Sequence, residues 1–408
     1  MARGELTTRL RALLGTAAPI ETTPDGVPRV APRTTAECAL LLRTASADGW
    51  RVRVTGAETW TPPDAPADLF LTTRALRGAG LVSAADLVAT AETGVPLDTL
   101  RRAFADHGAW LALDAPGAPG RSLGSLLATA TAGPLRAGFG LLRDQVLGLT
   151  LVTGDGRVVT VGGRVVKDVA GYDLAKLAVG SFGAFGVVTT VHLRLRAIPR
   201  ADQTLVGTGR RDAVLDVARA ILAGGLTPAA LELMSPAAAR TDAWTVAIRL
   251  VGTGDEVAAD RAAVQQASPI PLVERTGADA AAFWQEMLDG GTAAPVTLRA
   301  GALPTGLEDA LDLVALHLDE AVRDWLTVTV PAGTLRWSGA AGPDALIRFR
   351  DAAAAREWPV TIERAPWGTC LRLGHFGAYR EGVHRLVTGL RSAFDPAGIL
   401  VAPLSGNP

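Results

Sequence analysis

The order of elements around three glycines, Gly180, Gly183 and Gly186, constrains the fold most strongly. The run before them, "YDLAKLAVG", has the apolar spacing of a helix, and the run after them, "VVTTVHLRLRAI", alternates as a strand does. A dinucleotide fingerprint of the Rossmann type has the opposite order, with a strand, a glycine turn and then a helix. Gly183 and Gly186 therefore leave backbone N–H groups at the start of a strand. Composition alone, with 45 glycines in the chain, favours a simple tight turn.

The length, charge and cysteine content of the chain exclude several classes of protein. A chain of 408 residues predicts two or three domains. The 40 basic and 41 acidic residues balance, so no net field favours nucleic acid or an acidic membrane. The only cysteines, Cys38 and Cys370, cannot supply the four thiolates of an iron–sulfur cluster. No apolar run is long enough to span a bilayer. We expect a cytoplasmic protein with at most a peripheral membrane association.

The first 200 residues read as a mixed α/β region with short strands. A capping box of Thr34 and Glu37 predicts a helix, and "RVRVT", "LFLTT", "DLVATAETG" and "AWLAL" predict strands. The run "QVLGLTLVTGDGRVVTVGG" predicts a hairpin around Asp155 and Gly156. Before it, "LDAPGAPGRSLGSLLATATAGPLRAGFGLLRD" is long, weakly periodic and rich in small residues. Such a segment in a compact domain is typical of a functional loop.

The pattern changes after Pro199. Helical and strand-like runs alternate from about Ala201, which predicts a second α+β domain. The last segment, "EGVHRLVTGLRSAFDPAGILVAPL", predicts a helix that ends near Asp395 and Pro396, followed by extended chain.

The segment "GDGRVVTVGGRVVKDVAGYDLAKLAVGSFGAFGVVTTVHLRL" closely resembles the FAD-binding small subunits of bacterial glycolate oxidases. These are flavoproteins of the vanillyl-alcohol oxidase, or PCMH, fold. The resemblance covers most of the chain, from "RVAPRTTAECALLL" to "FDPAGI", and is strongest over residues 113–199. The run "VVK-x-VAGYDL" is specific to this subunit type and includes Lys167, Tyr172 and Asp173. Asp168 stands where the pattern usually has Asn.

The resemblance implies an α+β fold with a PCMH-type, two-subdomain FAD-binding domain at residues 1–200, whose core is at about 28–199. A smaller, cap-like α+β domain for partner contacts would follow at residues 201–408, and its tail could return to the flavin domain. FAD would be bound non-covalently, because the covalent members use a His or Cys near the pyrophosphate loop and residues 51–106 contain neither.

Three segments would line the cofactor by resemblance. They are a pyrophosphate loop, a small-residue segment near the flavin and diphosphate, and a glycine turn near the adenosine. Their residues are Gly56, Ala57, Glu58 and Thr59; Pro116, Gly117, Ser122, Leu123, Gly124, Gly133 and Arg136; and Gly183, Gly186, Val187 and Val188. A diphosphate requires converging N–H donors, and glycine lets the backbone approach it.

Two segments depart from the family pattern. The pyrophosphate loop is usually Arg-Gly-Gly-Gly-Ser/Thr, and here it reads Thr-Gly-Ala-Glu-Thr over residues 55–59. A carboxylate at Glu58 would repel a diphosphate unless the side chain points away. After "FDPAGI" the usual Asn-Pro-Gly is replaced by Leu400, Val401, Ala402 and Pro403. An alternative is therefore a degenerate, non-catalytic assembly subunit that keeps the fold but binds little or no FAD.

The function implied by the resemblance is that of a subunit of a glycolate oxidase-type complex. A small 2-hydroxy acid would be oxidised by hydride transfer to the flavin, and electrons would pass to a partner. The expected partners are a larger paralogous flavoprotein subunit and an iron–sulfur subunit, with no nucleic acid. A third hypothesis is a free-standing oxidase that uses oxygen.

The residues indicate no catalytic base and no metal site. No two histidines have the i, i+4 spacing of metal ligands; they are His107, His192, His317, His375 and His384. His375, in "LRLGHFGAYR", is the only one in a suggestive setting, although a lone histidine is more often structural. The only lysines, Lys167 and Lys176, could contact a phosphate or a partner, or simply be solvated.

Overall fold

The computed structural model describes residues 3–15, 19–58, 66–80, 82–117, 120–164, 173–318 and 324–402. Several residues singled out above lie outside these ranges, namely Thr59, Lys167, Asp168, Tyr172 and Pro403.

Short strands dominate the first 200 residues. Those described are β1 (Ile20–Thr22), β2 (Pro28–Val30), β3 (Val52–Thr55), β4 (Leu69–Thr72), β5 (Val82–Ser83), β6 (Val88–Glu92), β7 (Ala109–Trp110), β8 (Val146–Val152), β9 (Val158–Gly162), β10 (Val187–Arg194) and β11 (Arg196–Ala197). One sheet has the order β1-β2-β4-β3, in which β4 is parallel to both β2 and β3. An antiparallel sheet has the order β5-β6-β10-β8-β9, and β7 pairs with β11.

Helices pack on these sheets. Those described are α1 (Arg3–Leu14), α2 (Thr35–Asp48), α3 (Leu97–Ala105), α4 (Leu123–Thr129), α5 (Arg136–Phe139), α6 (Leu142–Gln145) and α7 (Leu174–Ala178). The predicted cap of α2 forms, because Thr34 Oγ1 accepts from Glu37 N at 3.1 Å. The Glu37 carboxylate accepts from Arg33 N rather than from the cap residue.

The element order around the glycines is confirmed. α7 ends before Gly180, which has a φ of 86°, and β10 begins at Val187. The small-residue segment before the β8–β9 hairpin is not a loop throughout, since it forms α4, α5 and α6. These helices are four to seven residues long, too short for apolar periodicity to reveal them.

Residues 201–402 form an eight-stranded antiparallel sheet with helices. The strands are β12 (Ala201–Gly209), β13 (Ala230–Met234), β14 (Trp244–Gly252), β15 (Val273–Thr276), β16 (Val296–Gly301), β17 (Trp325–Thr329), β18 (Thr334–Gly339) and β19 (Val360–Arg364), in the order β15-β12-β14-β13-β17-β18-β16-β19. The helices are α8 (Arg211–Ala223), α9 (Pro236–Ala239), α10 (Gly254–Ala267), α11 (Gly277–Asp289), α12 (Leu307–His317), α13 (Pro343–Ala354), α14 (Trp367–Leu373) and α15 (Glu381–Phe394).

The two faces of this sheet differ in chemistry. One face carries apolar side chains such as Leu231, Leu298 and Trp337, which form a buried core with α8, α10, α12 and α13. Successive strand residues point to opposite faces, so the intervening residues share the other face. We call this other surface, over β13, β17, β18, β16 and β19, the polar face. Its residues are Glu232, Thr327, Thr329, Thr334, Arg336, Arg299, Thr361 and Glu363.

The segment after α15 pairs with the first sheet. Val52 N donates to Ile399 O at 2.8 Å, and Val401 N donates to Val52 O at 3.0 Å. A tight turn precedes this pairing, and Asp395 holds it: its two carboxylate oxygens accept from Ile399 N at 3.0 Å and Leu400 N at 2.9 Å. Asp395 is buried, so these bonds are shielded from water.

Replacing Asp395 should destabilise the protein through this turn. Asp395→Ala leaves two buried N–H groups unpaired, and we expect a loss of about 2 kcal/mol or more in the free energy of unfolding. Asp395→Asn keeps one acceptor and should lose less. Urea denaturation checks both, with the exposed Asp255→Ala as a control expected within about 0.5 kcal/mol of wild type. Equal stability of Asp395→Ala and the control would contradict the role of the turn.

Candidate functional site

A cleft of about 990 Å³ opens between the first sheet, α4 and the turn before β10. We call it the glycine cleft. Six of the residues predicted to bind the cofactor line it, namely Gly56, Gly124, Gly183, Gly186, Val187 and Val188. Residues that were not predicted close its far side: Glu363 from the polar face, Trp367 and Cys370 from α14, and His375.

Most of these glycines bring protein segments together. A Cβ added at Gly56 would lie 2.3 Å from Ser122 Oγ, and one at Gly186 would lie 2.2 Å from Val152 O. Gly183 is different. It has a φ of 78°, and the nearest heavy atom to an added Cβ is Val54 Cβ at 3.7 Å. Gly183 is therefore the cleft glycine at which an added Cβ would meet protein atoms only at ordinary van der Waals distance.

Polar groups in and near the cleft remain able to bond a ligand. Thr73 lines the cleft, and its Oγ1 is buried without a hydrogen-bond partner in the described residues. The N–H groups of Ala57 and Glu58 likewise make no hydrogen bond within the described ranges. A buried polar group without a partner is costly, so a polar ligand at Thr73 would remove that cost.

The Glu58 carboxylate is turned away from the cleft and neutralised. Its Oε2 lies 2.6 Å from Arg29 Nη2, and its Oε1 accepts from Thr55 Oγ1 at 3.2 Å. Glu58 has a φ of 60°, a left-handed conformation that favours glycine. It therefore has the backbone conformation expected of the family's glycine, while the ion pair removes the predicted repulsion of a diphosphate.

His375 is a buried neutral residue at the cleft. Its Nδ1 lies 2.6 Å from Ile362 O and must donate, since a carbonyl only accepts. Its ring stacks on Phe182 with centroids 3.8 Å apart. Burial lowers the pKa of His375 to about 4. The other described histidines do not line the cleft.

Arg121 positions the small-residue segment from inside. Its guanidinium is buried and donates to Pro116 O at 2.7 Å, to Thr129 Oγ1 at 2.7 Å and to Thr131 Oγ1 at 2.9 Å. Burial lowers the pKa of Arg121 to about 9. Ser122 caps α4, with Ser125 N donating to its Oγ at 3.3 Å.

The remaining predicted residues lie elsewhere. Leu123 is a buried core residue that does not line the glycine cleft. Gly117 lies in a small recess that Arg121 also lines. Pro116, Gly133 and Arg136 line a second cavity of about 520 Å³ beside the polar face. We call it the polar cavity. Glu232, Arg299 and Arg336 form its polar wall.

An ion cluster joins the polar cavity to the glycine cleft. Glu363 lines the cleft, and Arg299 and Arg336 line the cavity. Glu363 Oε2 pairs with Arg336 Nη2, and its Oε1 lies 3.5 Å from Arg299 Nη1. Sequence reasoning missed these residues. The available signal was charge at alternate positions in "LELM", "VTLRAG", "TLRWSG" and "VTIERA".

In the described ranges, no group of three or more His, Cys, Asp or Glu residues could hold a metal ion. No helix there is both long enough and apolar enough to cross a membrane. Lys176 forms a surface ion pair with Asp173, with Nζ 3.1 Å from Oδ2.

A family model described as an FAD binding domain matches residues 28–162. The chain contains an FAD binding domain. Two solved structures of alkyldihydroxyacetonephosphate synthase match 93% and 92% of this chain and 76% of each solved chain. Their TM-scores are 0.67 and 0.66, at 14% and 15% identity. This similarity shows the fold, and the prediction of a PCMH-type α+β flavoprotein fold is confirmed.

Curated relatives match part of the chain. Glycolate oxidase subunit GlcE of Escherichia coli (strain K12) is 39% identical over 136 residues, which are 33% of this chain and 39% of that protein. The mitochondrial D-lactate dehydrogenase (cytochrome) of Arabidopsis thaliana is 34% identical over 180 residues, 41% of this chain and 31% of that protein. The chain thus covers less than two fifths of the length of each of these relatives. The predictions of FAD and of relatedness to FAD-linked oxidoreductases are confirmed.

The Arg29–Glu58 pair can be tested by FAD retention. Arg29→Ala should weaken FAD binding roughly three- to tenfold, because it leaves the Glu58 carboxylate uncompensated near the cofactor. The double variant Arg29→Ala/Glu58→Gly should recover most of that loss. Fluorescence titration with FAD measures both. A double variant no better than Arg29→Ala would mean that Arg29 acts through its own charge.

His375 should make stability depend on pH. Its pKa is near 6.5 when unfolded and about 4 when folded. Its contribution is therefore complete above pH 6.5 and is lost as pH falls towards 4, by on the order of 3 kcal/mol. We expect His375→Phe to be less stable at pH 7.5 but to lose less stability by pH 5. Melting temperatures across this range test it, and parallel curves for the two proteins would contradict it.

Proposed function

We propose that this chain is an FAD-dependent oxidoreductase subunit that oxidises a small 2-hydroxy acid and passes the electrons to a partner protein. The observation that carries the proposal is that the glycine cleft and the polar cavity both border the polar face. The glycine cleft is lined by Gly183, which has no side chain, and by the Thr73 hydroxyl, which has no hydrogen-bond partner among the described residues. The polar cavity has a wall of charged side chains suited to a small acid.

The residues of the glycine cleft fit FAD. The dinucleotide would enter beside Gly183, Val187 and Val188, and its diphosphate would accept hydrogen bonds from the N–H groups of Ala57 and Glu58. The Thr73 hydroxyl gives a further donor. Bound flavin supplies two-electron redox chemistry, which this chain's side chains lack.

The protein would orient the cofactor rather than react itself. Arg121 donates hydrogen bonds to four oxygens, on Pro116, Ser125, Thr129 and Thr131, and so holds these residues in place at the rim of the flavin site. His375 and Phe182 stack at the edge of the cleft and help to exclude water. A rigid, water-poor site strengthens the electrostatic interactions within it.

We propose a division of labour within the chain. Residues 1–200, joined by the returning segment after Asp395, would hold the FAD. Residues 201–394 would act as a cap that presents the polar face to the flavin. The pairing of Val52 with Ile399 and Val401 supports assigning the tail to the first unit.

Electron transfer would require other subunits. Both cysteines are buried and free, and two thiolates cannot hold an iron–sulfur cluster. We propose a larger flavoprotein subunit and an iron–sulfur subunit as partners, in the cytoplasm. The relative from Escherichia coli is named as a subunit, which supports assembly into a complex.

A second candidate is a non-catalytic assembly subunit with little or no FAD. The observation in its favour is the chain of apolar residues Leu400, Val401 and Ala402 where the family has Asn-Pro-Gly, of which Val401 and Ala402 line the cleft. The ion pair of Glu58 with Arg29 removes the other argument for it.

FAD retention by glycine variants tests the proposal. Wild-type protein purified without added flavin, or soaked in FAD and gel-filtered, should absorb near ~450 nm and release FAD on denaturation. Gly183→Ala should lower FAD affinity at least about tenfold, because its methyl group enters the open space of the cleft. Gly49→Ala is the matched control, since Gly49 has a φ of 70° with no atom within 4 Å and ends α2, away from the cleft.

The outcomes separate the candidates. Both variants bear the same strained φ, so both should lose similar stability, and only Gly183→Ala should lose FAD. A colourless wild-type protein that refuses FAD would support the assembly subunit instead. Reduction of the bound flavin by glycolate or D-lactate, with and without partner subunits, then tests the substrate class. Rapid turnover with oxygen by the isolated chain would favour a free-standing oxidase.

A further inference from the structure

The polar cavity has the composition of a binding site for a small anion. Its rim comes from Pro116 and Gly133, and its polar wall comes from Arg299, Arg336 and Glu232. Its empty volume is about 520 Å³, which includes space open to solvent. Met287, Leu288 and Trp325 form an apolar side.

Three guanidinium groups line the cavity. Those of Arg299 and Arg336 pair with the carboxylate of Glu363. Arg136 is half-buried, and its guanidinium makes no hydrogen bond or ion pair with any residue in the described part of the chain. Burying cations without counter-ions is costly, so the Arg136 guanidinium favours an anionic ligand.

Glu232 provides a second, different group. It is 1% exposed, and its Oε1 has no hydrogen-bond partner among the described residues. Burial raises the pKa of Glu232 well above its usual value, which favours the neutral, protonated carboxyl over the carboxylate. A protonated carboxyl both donates and accepts a hydrogen bond. It can therefore bond a hydroxyl group without repelling a nearby carboxylate.

We infer that the polar cavity binds the substrate, with Arg136 pairing with its carboxylate and Glu232 bonding its hydroxyl. This inference rests on the proposed function, which supplies the class of ligand. A 2-hydroxy acid has these two groups on adjacent carbons, and the cavity is lined by both a guanidinium, that of Arg136, and a carboxyl, that of Glu232. The apolar side of Met287, Leu288 and Trp325 would accept a small substituent.

Guanidinium groups would recognise the acid's carboxylate, since Arg136, Arg299 and Arg336 all line the cavity. A guanidinium pairs with a carboxylate through two parallel hydrogen bonds, which fixes the acid's orientation as well as its position. Arg299 and Arg336 are already oriented by Glu363, and we assign them a positioning role on the cavity wall.

Isothermal titration with D-lactate and with propionate, which lacks the hydroxyl, tests the inference on FAD-loaded and FAD-free protein. Wild type should bind D-lactate more tightly than propionate. Arg136→Gln should weaken both acids about tenfold or more, because it removes the cation that pairs with the carboxylate. Arg143→Gln is the matched control, since Arg143 lies one short helix further along and its side chain is 53% exposed. It should change neither affinity.

Variants at Glu232 test the hydroxyl contact. Glu232→Leu should abolish the preference for D-lactate while propionate binding persists. Glu232→Gln should restore the preference, because an amide also donates and accepts. A wild type that binds the two acids equally, or equal affinities for Arg136→Gln and Arg143→Gln, would overturn the inference. Melting temperatures identify any misfolded variant, and Arg136→Lys, which keeps the charge and should retain most of the affinity, gives an independent reading.

FAD retention keeps the two proposals apart. If Arg136→Gln loses FAD and wild type does not, the cavity belongs to the cofactor and the inference fails. If wild type retains no FAD but still binds D-lactate through Arg136, the proposed function fails and the acid site stands.

Discussion

The alternation of side chains along the eight-stranded sheet governs the candidate site. Each strand places successive side chains on opposite faces of the sheet, so alternate residues of one strand contact different surroundings. One face is apolar and packs on α8, α10, α12 and α13. The other is polar and borders both cavities. A one-residue shift in register would exchange the faces and bury the arginines in the helical core.

The charged side chains of the polar face are largely removed from water and therefore need partners of opposite charge. Glu363 is fully buried and stands between Arg299 and Arg336, which limits the cost of removing these guanidinium groups from water. Arg121 uses a different solution, with neutral oxygens as its partners. Groups in such fixed networks lose little freedom when a ligand binds. The rigid charges beside the cavities are therefore preorganised for polar ligands.

Part of the site could be predicted from the sequence because it depends on local backbone rules. Gly180, Gly183 and Gly186 read as a helix-to-strand turn, and the turn forms. Resemblance named six residues that line the glycine cleft. It also named Pro116, Gly133 and Arg136, which lie beside the polar face instead. A sequence motif predicts that its residues lie near one site, but it does not predict which part of that site each residue lines.

Other features could not be predicted because they depend on residues distant in sequence. Whether the Glu58 carboxylate repels a diphosphate depends on Arg29, which is 29 residues earlier in the chain and pairs with it. Glu363 and Arg336 are 27 residues apart and meet only across the sheet. Glu232 looked like an ordinary strand residue, since its burial depends on its neighbours in the sheet. Helices α4 to α6 are too short to show a period.

The sequence by itself determined the order of the elements, the alternating chemistry of the strands and the family of the first domain. Each of these follows from spacing along the chain, which local geometry converts directly into structure. The tertiary structure alone decided that Glu58 is neutralised, that most cleft glycines pack against protein, and that Arg136 and Glu232 border one cavity. These facts are set by contacts between segments far apart in the chain, and electrostatic and packing energies depend on those distances.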